Sequence, residues 1–509
     1  MPAEYLLVNQ PDILEVIANL SNDAVFTPPR VVNAVLDLLP AEVWIDPSLR
    51  WLDPGAKTGV FPREITKRLM VGLVDAIPDE EARLEHILTE MVFAIATEEI
   101  TGMMSRRSLY CSKDASSQHS VAAFAATDGN VWWKRVKHSW DSEGRCTECK
   151  GNREQLLQPG RDNKAYGFIH ADGRKQIDKE MDMKFDVIVG NPPYQMDDDG
   201  GHRPVPIYNK FVEQAIELNP QYIAMIIPSR WMGGGLGLSS FRNAMLTDQR
   251  IRRLVDFTKM EEVFPGVDFE GGVCYFLWDR DNPGSCTMTL HRDGVVVGPY
   301  DRDLNQHDIL VRDLRALPIL EKVVAGSSTP FSELVASVRP FGDELRSNFK
   351  GFTEHRAHAS NYKLYMNEGG RRREVWVAKK YVTKNEEIAR SWKVLVPTAY
   401  GERGMLPARV LGPSQVVAPD SVCTETYLAI GPFATEVEAK SALTYLQTRL
   451  VRFIVSLRKV AQHNVPSTFV WVPQQSWNRT WTDADLYKIY GITADEQAYI
   501  DAMVKEVEG

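Results

Sequence analysis

The chain has 509 residues, 44% hydrophobic and 25% charged, the composition of an ordinary globular protein of two to four domains. Its longest apolar runs, such as 222–228, are too short for a membrane span, and its acidic start lacks a signal peptide's basic leader, so a cytoplasmic protein with no membrane partner is expected. The net charge of −9 argues against indiscriminate polyanion binding, yet residues 341–400 hold twelve basic against seven acidic residues, leaving −14 on the rest.

Residues 24–300 alternate strand and helix patterns, which predicts an α/β, Rossmann-like sheet covered on both faces. Strands are expected at 51–52, 92–97, 166–170, 185–189, 222–227, 251–256 and 273–278, with helices at 30–39, 63–74, 100–108, 207–218 and 238–247. Residues 109–165 are polar and rich in Trp, Lys and Gly, so they read as an insertion between strands. Past 300 the rhythm changes, giving a catalytic domain over 1–300 and an α+β second domain over 301–509 with an amphipathic helix at 436–459.

The strongest chemical signal is an apolar strand running into Asn191-Pro192-Pro193-Tyr194. Consecutive prolines fix the backbone and remove two N–H donors, holding the groups before them at the strand's C-terminal edge, where open α/β sheets bind ligands. An Asn amide oxygen and the Pro192 carbonyl can together accept from one exocyclic amine, and Tyr194 offers a face on which a base can stack.

This segment resembles the catalytic motif of adenine-N6 DNA methyltransferases, and the order of elements resembles their gamma-class (TaqI-like) branch. The resemblance implies methyl transfer from S-adenosylmethionine to an adenine flipped out of duplex DNA, a restriction-modification or phage-defence setting, and a C-terminal target recognition domain. Catalysis then falls to Asn191, Pro192, Pro193 and Tyr194, with Phe264 (alternatively Phe269) as a second aromatic against the base. For the cofactor it implies Thr27 and Pro28 before the first helix, and Asp53, Pro54, Gly55 and Gly59 in the glycine-rich loop, where Lys57 replaces the usual middle glycine. It also implies Glu99 or Glu98 for the ribose hydroxyls, Asp172 for the cofactor's adenine and Asn191 at the pocket's edge.

Cys146-Thr-Glu-Cys149 with His138 and Cys111 forms a candidate structural zinc set in the insertion, His170 competing as fourth ligand. Arg346, Lys350, Arg371, Arg372, Arg373, Lys379 and Lys380 lie among Phe349, Phe352, Tyr362, Tyr365, Trp376 and Tyr381, a pattern suited to double-stranded DNA. The partner classes expected are duplex DNA and a separate restriction endonuclease or helicase subunit. Two other readings stand beside this one: a fused methyltransferase-endonuclease, on Asp420 and Glu438-Ala-Lys440, and a non-catalytic SAM- or DNA-binding relative, on Lys57.

Overall fold

Buried β-branched and aromatic runs, punctuated by glycine and proline, form the strands of a computed structural model that describes residues 26–156, 165–196, 205–267, 271–325, 329–401, 406–459 and 463–506. The chain divides into two units, Met1–Leu310 and Val311–Gly509.

In the first unit, helix α1 (Pro29–Leu36) precedes strand β1 (Trp51–Ala56), and helix α2 (Val60–Gly72) follows it. Then come β2 (Val92–Ala96), α3 (Glu99–Tyr110), β3 (Val131–Trp132), α4 (Ala171–Met181) and β4 (Val187–Gly190). The rest comprises α5 (Tyr208–Glu217), β5 (Tyr222–Pro228), α6 (Ser239–Thr247), β6 (Ile251–Phe257), β7 (Val273–Asp279), β8 (Cys286–Arg292) and β9 (Val295–Arg302). These strands form one sheet, ordered β9-β8-β6-β7-β5-β4-β1-β2-β3 among the described residues. From β3 to β5 neighbours run parallel, and β7 lies antiparallel between β5 and β6. Every residue of β1, β2, β4, β5 and β7 is buried, as strands covered on both faces require. The expected α/β methyltransferase fold is present.

Two expectations change. Residues 166–170 are not a strand: Tyr166 and Phe168 pack on Phe211 of α5 at ring distances of 5.7 and 5.8 Å, filling the core from a turn. A short apolar run has no periodicity to tell these cases apart. The strand beyond β2 is instead Val131–Trp132, inside the stretch read as an insertion, with Ala94 paired to Val131.

The second unit carries β10 (Phe352–Thr353), β11 (Tyr362–Glu368), β12 (Arg371–Val377), β13 (Trp392–Pro397), β14 (Gln415–Val417), β15 (Ser421–Cys423) and β16 (Tyr427–Phe433). They form sheets ordered β10-β12-β11-β15 and β14-β13-β16. The helix expected over 436–459 is two, α7 (Glu436–Gln447) and α8 (Arg449–Arg458). Thr448 at φ −62°, ψ 148° ends one and caps the other, its hydroxyl accepting from the Val451 N–H. We place the domain boundary between Leu310 and Val311 and not at the expected 300, because β9 runs to Arg302 and still pairs there with Cys286.

Gly59 opens α2 at φ +74°, and a Cβ there would sit 2.8 Å from the Ser105 Cα. Gly294, at φ +75° in the β8–β9 turn, has nothing within 4 Å of that position. Gly294→Ala should therefore cost only the left-handed penalty of about 1–2 kcal/mol, and Gly59→Ala clearly more. Thermal-unfolding midpoints of the two variants check this, and equal midpoints would refute the steric account.

Candidate active site

β1 and β4 run parallel with Trp51 beside Val187 and Leu52 beside Ile188, so the segments leaving their C-terminal ends emerge at one edge. β2 continues the sheet from the other side of β1, which makes this edge a point where strand order reverses, the usual place for a ligand. The two segments touch: a Cβ on Gly55 would lie 3.2 Å from the Pro192 Cα. Asn191, buried, donates from Nδ2 to the Thr27 Oγ1 at 2.9 Å, 164 residues away. A pocket of about 260 Å³ opens here, lined by Thr27, Asp53, Gly55, Lys57 and Asn191. Thr58, Gly59, Val60 and Phe61 complete its wall.

The pocket holds one acid and one base. Burial pushes the Asp53 carboxyl up to about 7, against the pull of the Gly55 N–H (3.1 Å) and the Lys57 charge. Lys57, itself buried, is not among the non-glycine residues at positive φ, so replacing the usual glycine does not strain the loop. Lys57, expected only as a departure from the usual glycine, lines the pocket, as do Thr58, Val60 and Phe61, which the sequence reading does not pick out. The run from Asp53 straight into α2 was the available signal.

Glu98 stands half-buried just past β2, its N–H bonded to the Thr101 hydroxyl at 2.9 Å, while Glu99 is exposed on the first turn of α3. Asp172 is elsewhere, accepting from the Lys137 N–H (2.9 Å) and from Gln176 (3.2 Å). Pro28 precedes α1 in extended conformation. Pro54 lies within β1. Tyr194 and Phe264 are both buried in the sheet's apolar core, so neither ring face is open to a base without side-chain movement. Phe269 lies outside the described residues.

Cys111 is exposed, in left-handed conformation at the end of α3, and stands apart from the other proposed metal ligands. His138, Cys146, Cys149 and His170, all buried, bring one donor atom each within 4.8 Å of one another. The two thiols share a hydrogen bond that holds Cys146 far below the ordinary thiol range and Cys149 far above it.

In the second unit Arg371, Arg372 and Arg373 begin β12 after the Gly369-Gly370 turn, Arg371 opposite Glu368. Much of the basic island is already paired. Arg373 bonds Glu354 and Glu368, Lys350 bonds Glu368 at 2.6 Å, and Lys379 bonds Glu386 at 2.9 Å. Arg372 donates to the Pro413 carbonyl, Arg346 to that of Asp343, and Lys380 lies over the Tyr381 ring. Of the aromatics, Phe349 and Tyr362 are core, with Phe352, Tyr365 and Tyr381 packed against it. Glu438 caps α7 by accepting from the Thr435 N–H, and Lys440 is on the same helix, so the nuclease spacing is that of a helix start and not of a metal site on a strand.

Residues 90–264 match the Eco57I restriction-modification methylase family. An uncharacterised adenine-specific methylase of Mycoplasma pneumoniae is 36% identical over 299 residues, 54% of this chain and 71% of the relative. Among solved structures, the type IIL restriction-modification enzyme MmeI in complex with DNA shares the fold at a TM-score of 0.50 and 12% identity, covering 91% of this chain and 71% of its own. A nuclease-deletion mutant of the type ISP enzyme LlaGI matches at 0.50 and 9%, over 94% of this chain and 47% of its own. With the pocket, the Asn-Pro-Pro-Tyr segment and that relative in agreement, the chain belongs to the adenine-specific methylases of restriction-modification type.

Proposed function

We propose that this methylase transfers a methyl group from S-adenosylmethionine to the N6 amino group of an adenine flipped out of duplex DNA, and that it works in the cytoplasm. The observation that carries the reading is the Asn191–Thr27 bond, which ties the Asn-Pro-Pro-Tyr segment to the wall of the pocket at the β1–β4 edge. Among the described residues no helix is long and apolar enough to cross a membrane.

The donor set fits the cofactor. Its amino-acid end carries one ammonium and one carboxylate, and the pocket offers Asp53 for the first, and Lys57 and Thr27 for the second. When bound, S-adenosylmethionine supplies an electrophilic methyl group on a sulfonium. Gly55 and Gly59 line the pocket where Pro192 and Ser105 pass too close for a side chain, with Pro28 and Pro54 setting the chain direction on either side. Glu98, half-buried at the strand end, is better placed than Glu99 to accept the ribose hydroxyls. We assign Asp172 to the insertion, whose Lys137 N–H it already holds. Zinc is the second group we assign to this chain, as a structural ion in the Cys/His cluster.

Adenine N6 is a poor nucleophile because its lone pair is delocalised into the ring. The Asn191 Oδ1 and the Pro192 carbonyl accept its two N–H groups and draw the nitrogen toward tetrahedral geometry, an effect felt mainly in the transition state. Pro193 keeps the segment rigid, and Tyr194, with Phe264 as its candidate partner, turns a ring face to the base after moving out of the core. Double-stranded DNA is the partner we propose for the second unit, and a separate endonuclease or helicase subunit for the system as a whole.

Asn191→Ala should lower kcat by about 10²–10³-fold while calorimetry shows cofactor affinity little changed. Turnover near wild type would end this reading.

Cofactor affinity should also depend on pH. Asp53 titrates at about 7, so it is largely neutral at pH 6 and largely ionised at pH 7.5. Only the anion attracts the ammonium, so affinity should rise several-fold over that interval and the Asp53→Asn variant should show a flat profile. The same rise in the variant would assign the titration elsewhere.

Among the described residues Arg371 and Arg372 form no ion pair with a carboxylate, unlike Arg373, Lys350 and Lys379. Replacing both with Ala should lower the salt slope of DNA binding by about one unit per lost phosphate contact. Arg373→Ala should alter the slope less. Parallel salt plots for wild type and the double variant would show a solvated face only.

A further inference from the structure

The polar insertion carries an interior that apolar packing does not explain. His138, Cys146, Cys149 and His170 meet from three places in the chain, and all four side chains are at least nine-tenths buried. The Cys149 Sγ lies 3.6 Å from the His138 Nδ1, and the two imidazoles meet edge-on at 4.8 Å. The His170 Nδ1 is 2.8 Å from the Tyr166 carbonyl, which can only accept, so that nitrogen carries the proton and Nε2 keeps its lone pair. The Nε2 atoms of both histidines are buried with no hydrogen-bond partner among the described residues. Two partnerless ring nitrogens beside two thiols would each cost desolvation energy, a cost that one shared ion removes.

We infer that these four residues form a closed, tetrahedral Cys2His2 site for one zinc ion, and that the ion clasps the insertion to the segment leading into and out of β4. Four protein ligands leave no open position, the mark of a structural site. A two-iron cluster can also take two thiolates and two imidazoles, but it holds them on separate irons, whereas four donor atoms within 4.8 Å of one another suit one ion, and a Cys146–Cys149 disulfide would leave both imidazoles unsatisfied. The Tyr166 carbonyl supplies the outer hydrogen bond that orients a ligating histidine.

The clasp follows from where the ligands sit. His170 directly precedes α4, the helix that leads into β4. Between the cysteines, the Glu148 carboxylate accepts from the Ala171 N–H at 3.3 Å, and Asp172 accepts from the Lys137 N–H at 2.9 Å, tying the start of α4 to the chain just before His138. On the other side, a Cβ on Gly151 would lie 3.1 Å from the Met196 Cε and 3.5 Å from the Cys149 Sγ, so Met196, two residues past Tyr194, rests on the knuckle. Cys146, Cys149, Tyr194 and Met196 share one apolar cluster. Without the ion, both the helix start before β4 and the support behind Tyr194 would lose their anchor.

The test uses the full chain. Elemental analysis of purified protein should find about one zinc per chain, retained in Cys111→Ser and lost in Cys149→Ser and His170→Ala. Should those variants fail to fold, wild-type protein still decides, because a mercurial should release one zinc to a colorimetric chelator as both thiols react. No metal with both thiols freely titratable in the folded chain, or iron in place of zinc, would overturn the site. Zinc retained in Cys149→Ser and His170→Ala would overturn the ligand set. For the clasp, chelation should raise amide hydrogen exchange across 185–196, and unchanged exchange there after complete zinc removal would overturn that role. Metal content and exchange are read without methyl transfer, so neither depends on the proposed activity.

Discussion

Two register pairs, Trp51 with Val187 and Leu52 with Ile188, set the geometry on which the rest of the site depends. They align β1 and β4 so that the loop carrying Asp53 and the segment carrying Asn191 leave the sheet together, and a one-residue slip would turn the side chains of one strand to the other face. The alignment is closed by close approach. Gly55 has no side chain where Pro192 passes, and the prolines need no N–H partner where the backbone is crowded. The Asn191–Thr27 bond then adds a third stretch of chain, 164 residues from Asn191, that local sequence could not have brought there.

Within that geometry the electrostatics are those of a binding pocket and not of a packed core. A buried carboxylate and a buried amine side by side each lose hydration, and attraction between them offsets only part of that loss. Burial winds up Asp53 to about 7 even with Lys57 and the Gly55 N–H pulling the other way. A ligand carrying one charge of each sign relieves both residues at once, whereas a singly charged ligand would satisfy one and leave the other. On the proposed reading the lysine that replaces the usual glycine would meet the ligand's carboxylate end, while the turn itself is made by Gly59.

The sequence made most of the first unit legible because its central strands are buried on both faces, β6 alternates buried and partly exposed residues, and turn residues bound them. The strands at 222–228, 251–257 and 273–279 stand where their apolar patterns put them, and Asn191-Pro-Pro-Tyr194 lies at the end of its strand. What failed was short or needed a partner to interpret. Val131–Trp132 is two residues long, and Tyr166–Phe168 is as apolar as a strand yet serves as a plug against Phe211. Glu436–Lys459 keeps helical spacing through Thr448, where the backbone turns extended because the hydroxyl caps a second helix. In the zinc set, spacing picked out Cys146 and Cys149, but choosing between Cys111 and His170 required knowing that the first is exposed and the second buried beside the thiols.

The basic island shows the same limit for charge. A count over 341–400 finds excess positive charge, but the sheet places Glu354 and Glu368 against Arg373 and Lys350, and Glu386 against Lys379. Exposed pairs of this kind contribute little to stability, and their acids already enter the count, so pairing leaves the excess unchanged and decides only which basic groups stay open to a phosphate. The interleaved aromatics are explained as well, since Phe349 and Tyr362 fill the core of the small sheet and the Phe352 ring lies under the Arg373 guanidinium. Attraction for DNA therefore cannot rest on bulk charge in a chain of net −9. On the proposed reading it comes from a few placed groups at the start of β12, where Gly369 and Gly370 at positive φ turn the chain and leave Arg371 and Arg372 exposed at the strand's beginning. A surface of that kind would bind weakly to any polyanion and gain affinity only where phosphates or base edges match the positions of those groups.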